Sequence, residues 1–259
     1  MQQSDNYNIE WNSELRKQLF GQGVSRLPHA SLLTGPSGVG KTAFAEQVAS
    51  LLLCESPSAD MSACGACDSC RWLAAGNHPD FRRVAPDEDE EVEGSEKSKK
   101  RSPGIIRIDQ IRDLEDFVFV GSHRNGNRVV LVTEAEAMNP AAANALLKIL
   151  EEPPATVYFI LVSSRSRSLL PTIRSRCRVL AFGAPDSAAA TGWLRRAGLE
   201  KQAGRYLGLA GGAPMRVAQW KEEGQLEPID ALVDSLMSPP GDPVQLAARW
   251  DALLKGDGQ

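Results

Sequence analysis

The chain has 259 residues, of which 42% are hydrophobic and 24% are charged. This composition is typical of a globular protein, and the length allows one large domain or two smaller ones. The formal net charge of −4 argues against a surface coated overall for nucleic acid, although not against a local basic patch.

The sequence predicts no targeting or membrane-spanning segment. No apolar run approaches the roughly 18 to 20 residues that a membrane helix needs. Residues 1–6 contain neither the basic nor the apolar stretch of a secretory signal. We therefore expect a cytoplasmic protein whose five cysteines are reduced, and clustered cysteines in that compartment are more often metal ligands than disulfides.

The first part of the chain predicts the start of an α/β domain. Helical spacing of apolar residues predicts a short amphipathic helix near residues 11–20. An apolar run at 30–34, a glycine-rich turn at 35–40 and a helix over 41–53 then form a strand–turn–helix unit. Residues 86–103 carry a run of acids followed by a run of bases, which predicts a disordered surface loop.

Strands and helices continue to alternate up to residue 184. Short apolar runs predict strands at 105–108, 128–133 and 157–162, separated by helices over 109–117 and 141–152. This alternation predicts an α/β domain over residues 1–184, with a mostly parallel sheet and helices on both faces. Residues 185–227 are predicted to form a small all-helical domain, and residues 228–259 a further helical region.

The most specific motif fits the pattern G-x-x-x-x-G-K-[ST] completely. In such a P-loop, backbone N–H groups converge on a phosphate at a helix N-terminus. The lysine reaches the β- and γ-phosphates, and the Thr hydroxyl binds Mg²⁺. The motif predicts binding of ATP with Mg²⁺ by eight consecutive residues: Gly35, Pro36, Ser37, Gly38, Val39, Gly40, Lys41 and Thr42.

A second acidic element, which hydrolysis requires, is degraded. In P-loop enzymes a strand ends in an Asp for Mg²⁺, and a Glu then orients water. Here residues 129–132 are followed by Thr133 and Glu134. A hydroxyl is a poorer partner for Mg²⁺ than a carboxylate, so the sequence predicts weak or no ATPase activity by itself. Glu134 is either a water-orienting base or a surface acid at the strand end.

Four of the five cysteines, all within residues 54–70, have metal-ligand spacing. Four thiolates at this spacing can close a tetrahedral zinc site, which would be structural because no coordination position remains for water. Free thiols or a redox pair are the alternatives. We expect His78 to pack in a nearby loop rather than bind the metal. The predicted ligands are Cys54, Cys64, Cys67 and Cys70.

Together these motifs resemble the clamp-loader branch of the AAA+ family, and within it the delta-prime subunits of bacterial DNA polymerase III. The cysteine module directly after the P-loop helix carries the resemblance, together with residues 74–80, 108–112 and 144–154 and the Ser175-Arg176-Cys177 triplet. It covers about residues 10–227. It implies a AAA+ domain followed by a helical lid domain over 185–227 and the beginning of a collar domain over 228–259.

The resemblance also implies roles for individual residues. Arg176 would act in trans as an arginine finger on the ATP of a neighbouring motor subunit. Ser164 stands at the position of the first sensor and Arg216 near the second. The alternatives are that Ser164 is only a hydroxyl at a strand end and that Arg216 is only a solvated base on a helix. The implied partners are the gamma or tau motor subunits and delta in a hetero-pentamer, and through it the sliding clamp and primer-template DNA.

The main alternative is an active gamma- or tau-like motor of the same loader. Motor subunits carry Asp-Glu where this chain has Thr133-Glu134, and the lead-in at 138–143 favours the delta-prime type. Either type would be a subunit of a DNA polymerase holoenzyme, which is a nucleotidyltransferase complex. A stand-alone zinc-ribbon nucleic-acid binder and a small-molecule P-loop kinase are weaker alternatives. The family collar usually runs well past residue 259, so we expect either a truncated or an unusually short collar.

Overall fold

The computed structural model describes residues 10–21, 23, 27–87, 104–119, 126–199 and 202–237, together with residues 247, 250 and 251. The chain divides into two compact units, Met1–Asp186 and Ser187–Gln259. Most of the predicted disordered loop, residues 88–103, lies outside the described residues. So does most of residues 228–259 beyond position 237.

The first unit is built on a five-stranded parallel sheet in the order β2-β3-β4-β1-β5. Its strands are β1 (Ala30–Thr34), β2 (Phe81–Val84), β3 (Arg128–Val132), β4 (Val157–Ser163) and β5 (Arg178–Ala181). Every residue of β1 and of β3 is buried, as is typical of parallel strands covered on both faces. The predicted α/β class with a parallel sheet is confirmed.

The described helices of the first unit precede these parallel strands or lie between them in the chain. They are α1 (Ser13–Phe20), α2 (Lys41–Leu53), α3 (Asp68–Ala74), α4 (Ile108–Phe119), α5 (Pro140–Glu151) and α6 (Pro171–Arg176). The Asn139 side chain caps α5 by accepting a hydrogen bond from Ala142 N, and Pro140 opens the helix. Ile111, Leu146 and Phe159 are almost fully buried in the core that α4 and α5 form with the central strands.

The strand prediction was wrong in three details. Residues 105–108 do not form a strand, because Ile105 and Ile106 make only isolated bridges, to Asp87 and Met138, and α4 begins at Ile108. The two edge strands, β2 and β5, were missed. Each exposes polar or charged residues on the outside of the sheet, so neither carries the apolar run that marks a central strand.

The described part of the second unit contains helices only. They are α7 (Ser187–Arg196), α8 (Ala203–Leu209), α9 (Pro214–Glu222) and α10 (Leu226–Met237). The Arg205 guanidinium on α8 pairs with Asp234 on α10 at 2.9 Å. The neighbouring Tyr206 hydroxyl donates to the Asp230 carboxylate. Among the helices described, none is both long and apolar enough to cross a membrane.

A buried ion pair joins the sheet to the loop that enters it. Arg128 Nε lies 3.3 Å from Asp80 Oδ1, and both side chains are only 3% exposed. The Arg128 guanidinium also stands 5.0 Å from the centroid of the Phe117 ring and donates to the Phe117 carbonyl. Because a buried charge without its partner is costly, each member of the pair depends on the other.

We expect Arg128→Met to lower the unfolding free energy of the first unit by about 3–5 kcal/mol, since it removes the arginine that pairs with the buried Asp80 carboxylate. Urea unfolding followed by circular dichroism measures the loss. The matched control is Arg112→Met, which removes an exposed ion pair to Asp109 and should cost less than about 1 kcal/mol. Equal losses in the two variants would contradict the assigned role of the pair.

Candidate nucleotide and metal sites

The P-loop joins the end of β1 to the start of α2. Gly35, with φ at +140°, approaches β5 so closely that a Cβ there would lie 2.2 Å from the Phe182 carbonyl oxygen. Gly40 caps α2 with φ at +98°, a conformation that favours glycine. The turn therefore leaves the first N–H groups of a 13-residue helix available to an anion, and this backbone fits a phosphate.

The Lys41 side chain is buried at the bottom of this turn. Its Nζ donates to Gly35 O at 2.8 Å, to Pro36 O at 2.5 Å and to Ser164 Oγ at 3.1 Å. These three acceptors match the three protons of an ammonium group. Burial lowers the pKa of Lys41 from its ordinary 10.5 to about 8, and the charge of Glu136 partly opposes that shift.

The other P-loop residues differ in their surroundings. Pro36 and Ser37 are exposed, whereas Val39 is buried. The Val39 carbonyl accepts a hydrogen bond from Trp11 Nε1 at 3.2 Å, so the segment before α1 contacts the turn. Thr42 is half-buried at the second position of α2, where its hydroxyl would bind Mg²⁺.

Thr133 and Glu134, at the end of β3, have different surroundings. Thr133 is buried, and its hydroxyl donates to Val84 O at 3.3 Å, within the sheet. Glu134 is exposed and has a left-handed backbone, with φ at 51°, at the start of the 3₁₀ turn Ala135–Ala137. No described contact links Glu134 to the P-loop.

A different acid, Glu136, lies beside the P-loop lysine. Its Oε1 accepts a hydrogen bond from Ser164 N at 2.9 Å, and its Oε2 is buried with no hydrogen-bond partner among the described residues. The sequence prediction missed Glu136, because its position depends on the short 3₁₀ turn after β3. Only the acidic Glu134-x-Glu136 spacing could have drawn attention to it.

The two predicted sensor residues lie in different units. Ser164 follows β4 and contacts the P-loop lysine through its hydroxyl. Its neighbour Ser163 is fully buried and accepts from Arg165 N through Oγ at 3.2 Å. Arg216 lies on α9 of the second unit, exposed, with its guanidinium 5.7 Å from the centroid of the Trp220 ring.

The predicted arginine finger lies at the end of α6. Arg176 Nη2 forms an ion pair at 2.6 Å with Oε1 of Glu151, the last residue of α5. Nη1 donates to Thr172 O at 3.4 Å, one turn earlier on the same helix. The Arg176 side chain remains 36% exposed, so its guanidinium is held in place and also accessible. Cys177, the next residue, is buried.

The four predicted metal ligands lie together. The Sγ atoms of Cys54, Cys64, Cys67 and Cys70 are all within 4.8 Å of one another, and Zn–S bonds of about 2.3 Å would draw them slightly closer. Backbone N–H groups of Ala66 and Cys67 lower the pKa of the Cys64 thiol to about 6. A lowered pKa favours the thiolate form of Cys64, which is the form that binds metal. Four cysteine sulfurs at these separations fit a tetrahedral zinc site.

A buried hydrogen-bond chain fixes the cysteine module against α2. Asp80 N–H donates to His78 Nδ1 at 3.0 Å, so a neutral His78 carries its proton on Nε2. This nitrogen lies 2.6 Å from Ser69 Oγ, which in turn donates to Leu53 O at 2.5 Å. His78 is thus a packing residue, as expected, and it connects α3 to the last turn of α2.

Comparison with known proteins places these sites in a family. The family model described as DNA polymerase III, delta subunit matches residues 13–186. DNA polymerase III subunit delta′ of Pseudomonas aeruginosa is 42% identical over 220 residues, which cover 84% of this chain and 62% of that protein. The protein of the same name from Escherichia coli K12 is 35% identical over 183 residues, or 71% of this chain and 51% of that protein.

Similarities extend to proteins named for other subunits of DNA polymerase III. DNA polymerase III subunit tau of Escherichia coli K12 is 34% identical over 157 residues, which cover 61% of this chain and 22% of that protein. A DNA polymerase III gamma subunit-related protein from Thermotoga maritima matches with a TM-score of 0.46 and 21% identity, over 88% of this chain and 62% of that one.

The matches to delta′ proteins agree with the resemblance that the P-loop, the cysteine module and the Ser175-Arg176-Cys177 triplet indicate. The chain spans between 51% and 62% of the length of the delta′ relatives from E. coli and P. aeruginosa. The family model covers most of the first unit, including the P-loop, the cysteine cluster and Arg176. The chain belongs to the DNA polymerase III delta′ family.

Proposed function

We propose that this chain serves as the stator-type subunit of a DNA polymerase III clamp loader, binding a nucleotide and stimulating hydrolysis at a neighbouring subunit. The observation that carries the proposal is the contrast within the P-loop site. Lys41 is buried and fully hydrogen-bonded in an intact P-loop, while the carboxylate position for Mg²⁺ is occupied by Thr133, whose hydroxyl points to Val84 O. Such a site suits binding better than turnover.

In this proposal the first unit, with a domain over residues 1–184, binds ATP with Mg²⁺. The eight P-loop residues surround the phosphates, Lys41 compensates their charge and Thr42 binds the Mg²⁺ ion. Ser164 would sense the terminal phosphate through its contact with Lys41. Residues 185–227, which include Arg216, would form the lid. Residues 228–259 would begin the collar.

Arg176 would act on a nucleotide that belongs to another subunit. An arginine finger stabilises the charge that develops on the transferred phosphoryl group. Arg176 is suited to this role because the ion pair with Glu151 positions a guanidinium that remains accessible. The proposed neighbours are gamma or tau motor subunits, with delta completing a hetero-pentamer that acts on the sliding clamp and primed DNA in the cytoplasm.

A gamma- or tau-like motor is the second candidate, and the intact P-loop together with the tau similarity favours it. Thr133 argues against it, since turnover requires the acid that this residue replaces. The two candidates differ in one measurable property. A motor hydrolyses ATP when its own P-loop is the only one intact in the loader, whereas a stator does not.

The finger proposal predicts the effect of Arg176→Ala in a reconstituted loader containing unchanged motor subunits. The DNA- and clamp-stimulated ATPase rate at the neighbouring site should fall on the order of 10³-fold, because the transition-state charge loses its cation. The matched control is Arg174→Ala, which removes an exposed arginine from the same helix. If the loader assembled with the Arg176→Ala chain and its ATPase rate were unchanged, the assignment of Arg176 as an arginine finger would be contradicted.

The nucleotide proposal predicts that Lys41→Met abolishes binding of Mg·ATP and Mg·ADP, as measured by isothermal titration calorimetry. For the unaltered chain, affinity should decrease as pH rises above about 8, since Lys41 with its lowered pKa then loses its charge. An affinity that stays constant from pH 7 to 9.5 would contradict this assignment of Lys41.

The zinc proposal predicts one zinc per chain, measured by atomic emission after gel filtration. Cys64→Ser should lose the metal and unfold at lower temperature, because a tetrahedral structural site requires all four ligands. Cys177→Ser is the control and should retain the zinc, since that thiol is buried elsewhere. If the chain without zinc melted at the same temperature as the chain with zinc, the result would contradict a structural role for the metal.

A further inference from the structure

Glu136 has no role in the function proposed above, and its surroundings are unusual. One carboxylate oxygen is fixed by Ser164 N–H at 2.9 Å. The other is buried and finds no hydrogen-bond partner among the described residues. Burying a carboxylate oxygen without a hydrogen bond lowers the stability of the fold unless a nearby positive charge compensates it. The compensating charge is Lys41, which interacts electrostatically with Glu136.

Glu136 and Lys41 are connected through one residue. Ser164 donates its backbone N–H to Glu136 and accepts from Lys41 Nζ at 3.1 Å through its hydroxyl. The other two protons of the Lys41 ammonium are used by Gly35 O and Pro36 O. The negative charge of Glu136 therefore already offsets the positive charge that a P-loop offers to phosphate.

A terminal phosphate must approach the same region. The lysine of a P-loop reaches the β- and γ-phosphates, so the γ-phosphate would displace Ser164 Oγ from Lys41. That movement brings a second anion toward the Glu136 carboxylate. Like charges a few ångströms apart in a partly buried site repel strongly. The β-phosphate, which the helix N-terminus and the turn surround, is affected less.

We propose that Glu136 is a specificity-determining residue that disfavours the γ-phosphate, so that this P-loop binds a nucleoside diphosphate in preference to a triphosphate. The inference rests on the proposed nucleotide binding at the P-loop, and it makes ATP the more weakly bound of the two nucleotides there. It deepens the stator role, because a subunit that retains a diphosphate needs no hydrolysis cycle of its own.

The alternative role for Glu136 is to bind Mg²⁺ in place of the missing acid at Thr133. The hydrogen bonds argue against it. Oε1 is already engaged by the backbone after β4, and the electrostatic partner of Glu136 is the Lys41 ammonium. The Mg²⁺ role predicts the opposite result on removing the charge, because the triphosphate would then lose a ligand for its metal.

The test uses the full chain and isothermal titration with Mg·ADP and Mg·ATP, comparing wild type with Glu136→Gln. Glutamine retains an acceptor for Ser164 N–H and removes the charge. We expect the affinity for Mg·ATP to rise on the order of tenfold, with a much smaller change for Mg·ADP. Glu136→Ala should change the preference in the same direction. The control Glu115→Gln removes an exposed charge from α4 and should leave both affinities unchanged.

Three outcomes would overturn the inference. Weaker Mg·ATP binding by Glu136→Gln would assign Glu136 to the metal instead. An equal increase in affinity for the two nucleotides, or no increase for either, would show that Glu136 does not discriminate between them. In that case, binding of Mg·ADP by the wild type would still support the proposed P-loop function. Absence of binding to either nucleotide by wild type and both variants would reject nucleotide binding itself, together with this inference.

Discussion

The buried ammonium group of Lys41 is the constraint around which the first unit is arranged. Burial of a lysine is unfavourable unless hydrogen bonds and a counter-charge replace its hydration. Here the compensation comes from three separate parts of the sequence: the P-loop carbonyls, Ser164 after β4 and Glu136 after β3. The parallel sheet makes this possible. Because β3 and β1 both pair with β4, the carboxyl ends of the three strands meet at one edge.

The same helix that begins at the P-loop ends at the cysteine cluster. Leu53, the last residue of α2, accepts the Ser69 hydroxyl hydrogen bond, and Cys54 directly after it contributes the first thiol. A chain of hydrogen bonds then continues through His78 to Asp80, whose carboxylate pairs with Arg128 at the start of β3. The cysteine module is thus connected to a central strand by buried polar contacts as well as by sequence continuity.

The sequence was informative wherever one local pattern determines the structure. Central strands were recognisable because burial on both faces requires an unbroken apolar run, and α5 because Asn139-Pro140 marks a helix start. The P-loop and the four cysteines were recognisable because their chemistry depends on spacing. Edge strands β2 and β5 have no such pattern, since their exposed positions tolerate charge.

Pairings between distant residues could not be predicted from the sequence. The contact of Arg128 with Asp80 spans 48 positions, and that of Arg176 with Glu151 spans 25. Local propensity indicates neither. Glu136 is the most instructive case, because the sequence directed attention to Glu134, where an acid normally follows the strand. The 3₁₀ turn leaves Glu134 exposed and brings Glu136 beside the lysine.

The exchange at the end of β3 alters the electrostatics of the site more than its shape. In the proposed nucleotide site Thr133 stands where an acid for Mg²⁺ is expected, and its hydroxyl adds a second hydrogen bond to the Val84 carbonyl, which already accepts from Thr133 N–H at 2.9 Å. Glu136, in the 3₁₀ turn after β3, supplies a negative charge that interacts with Lys41. In the proposed nucleotide site the acid for Mg²⁺ is missing and the charge of Lys41 is partly offset by Glu136, so each further negative charge on the ligand is bound at a higher electrostatic cost.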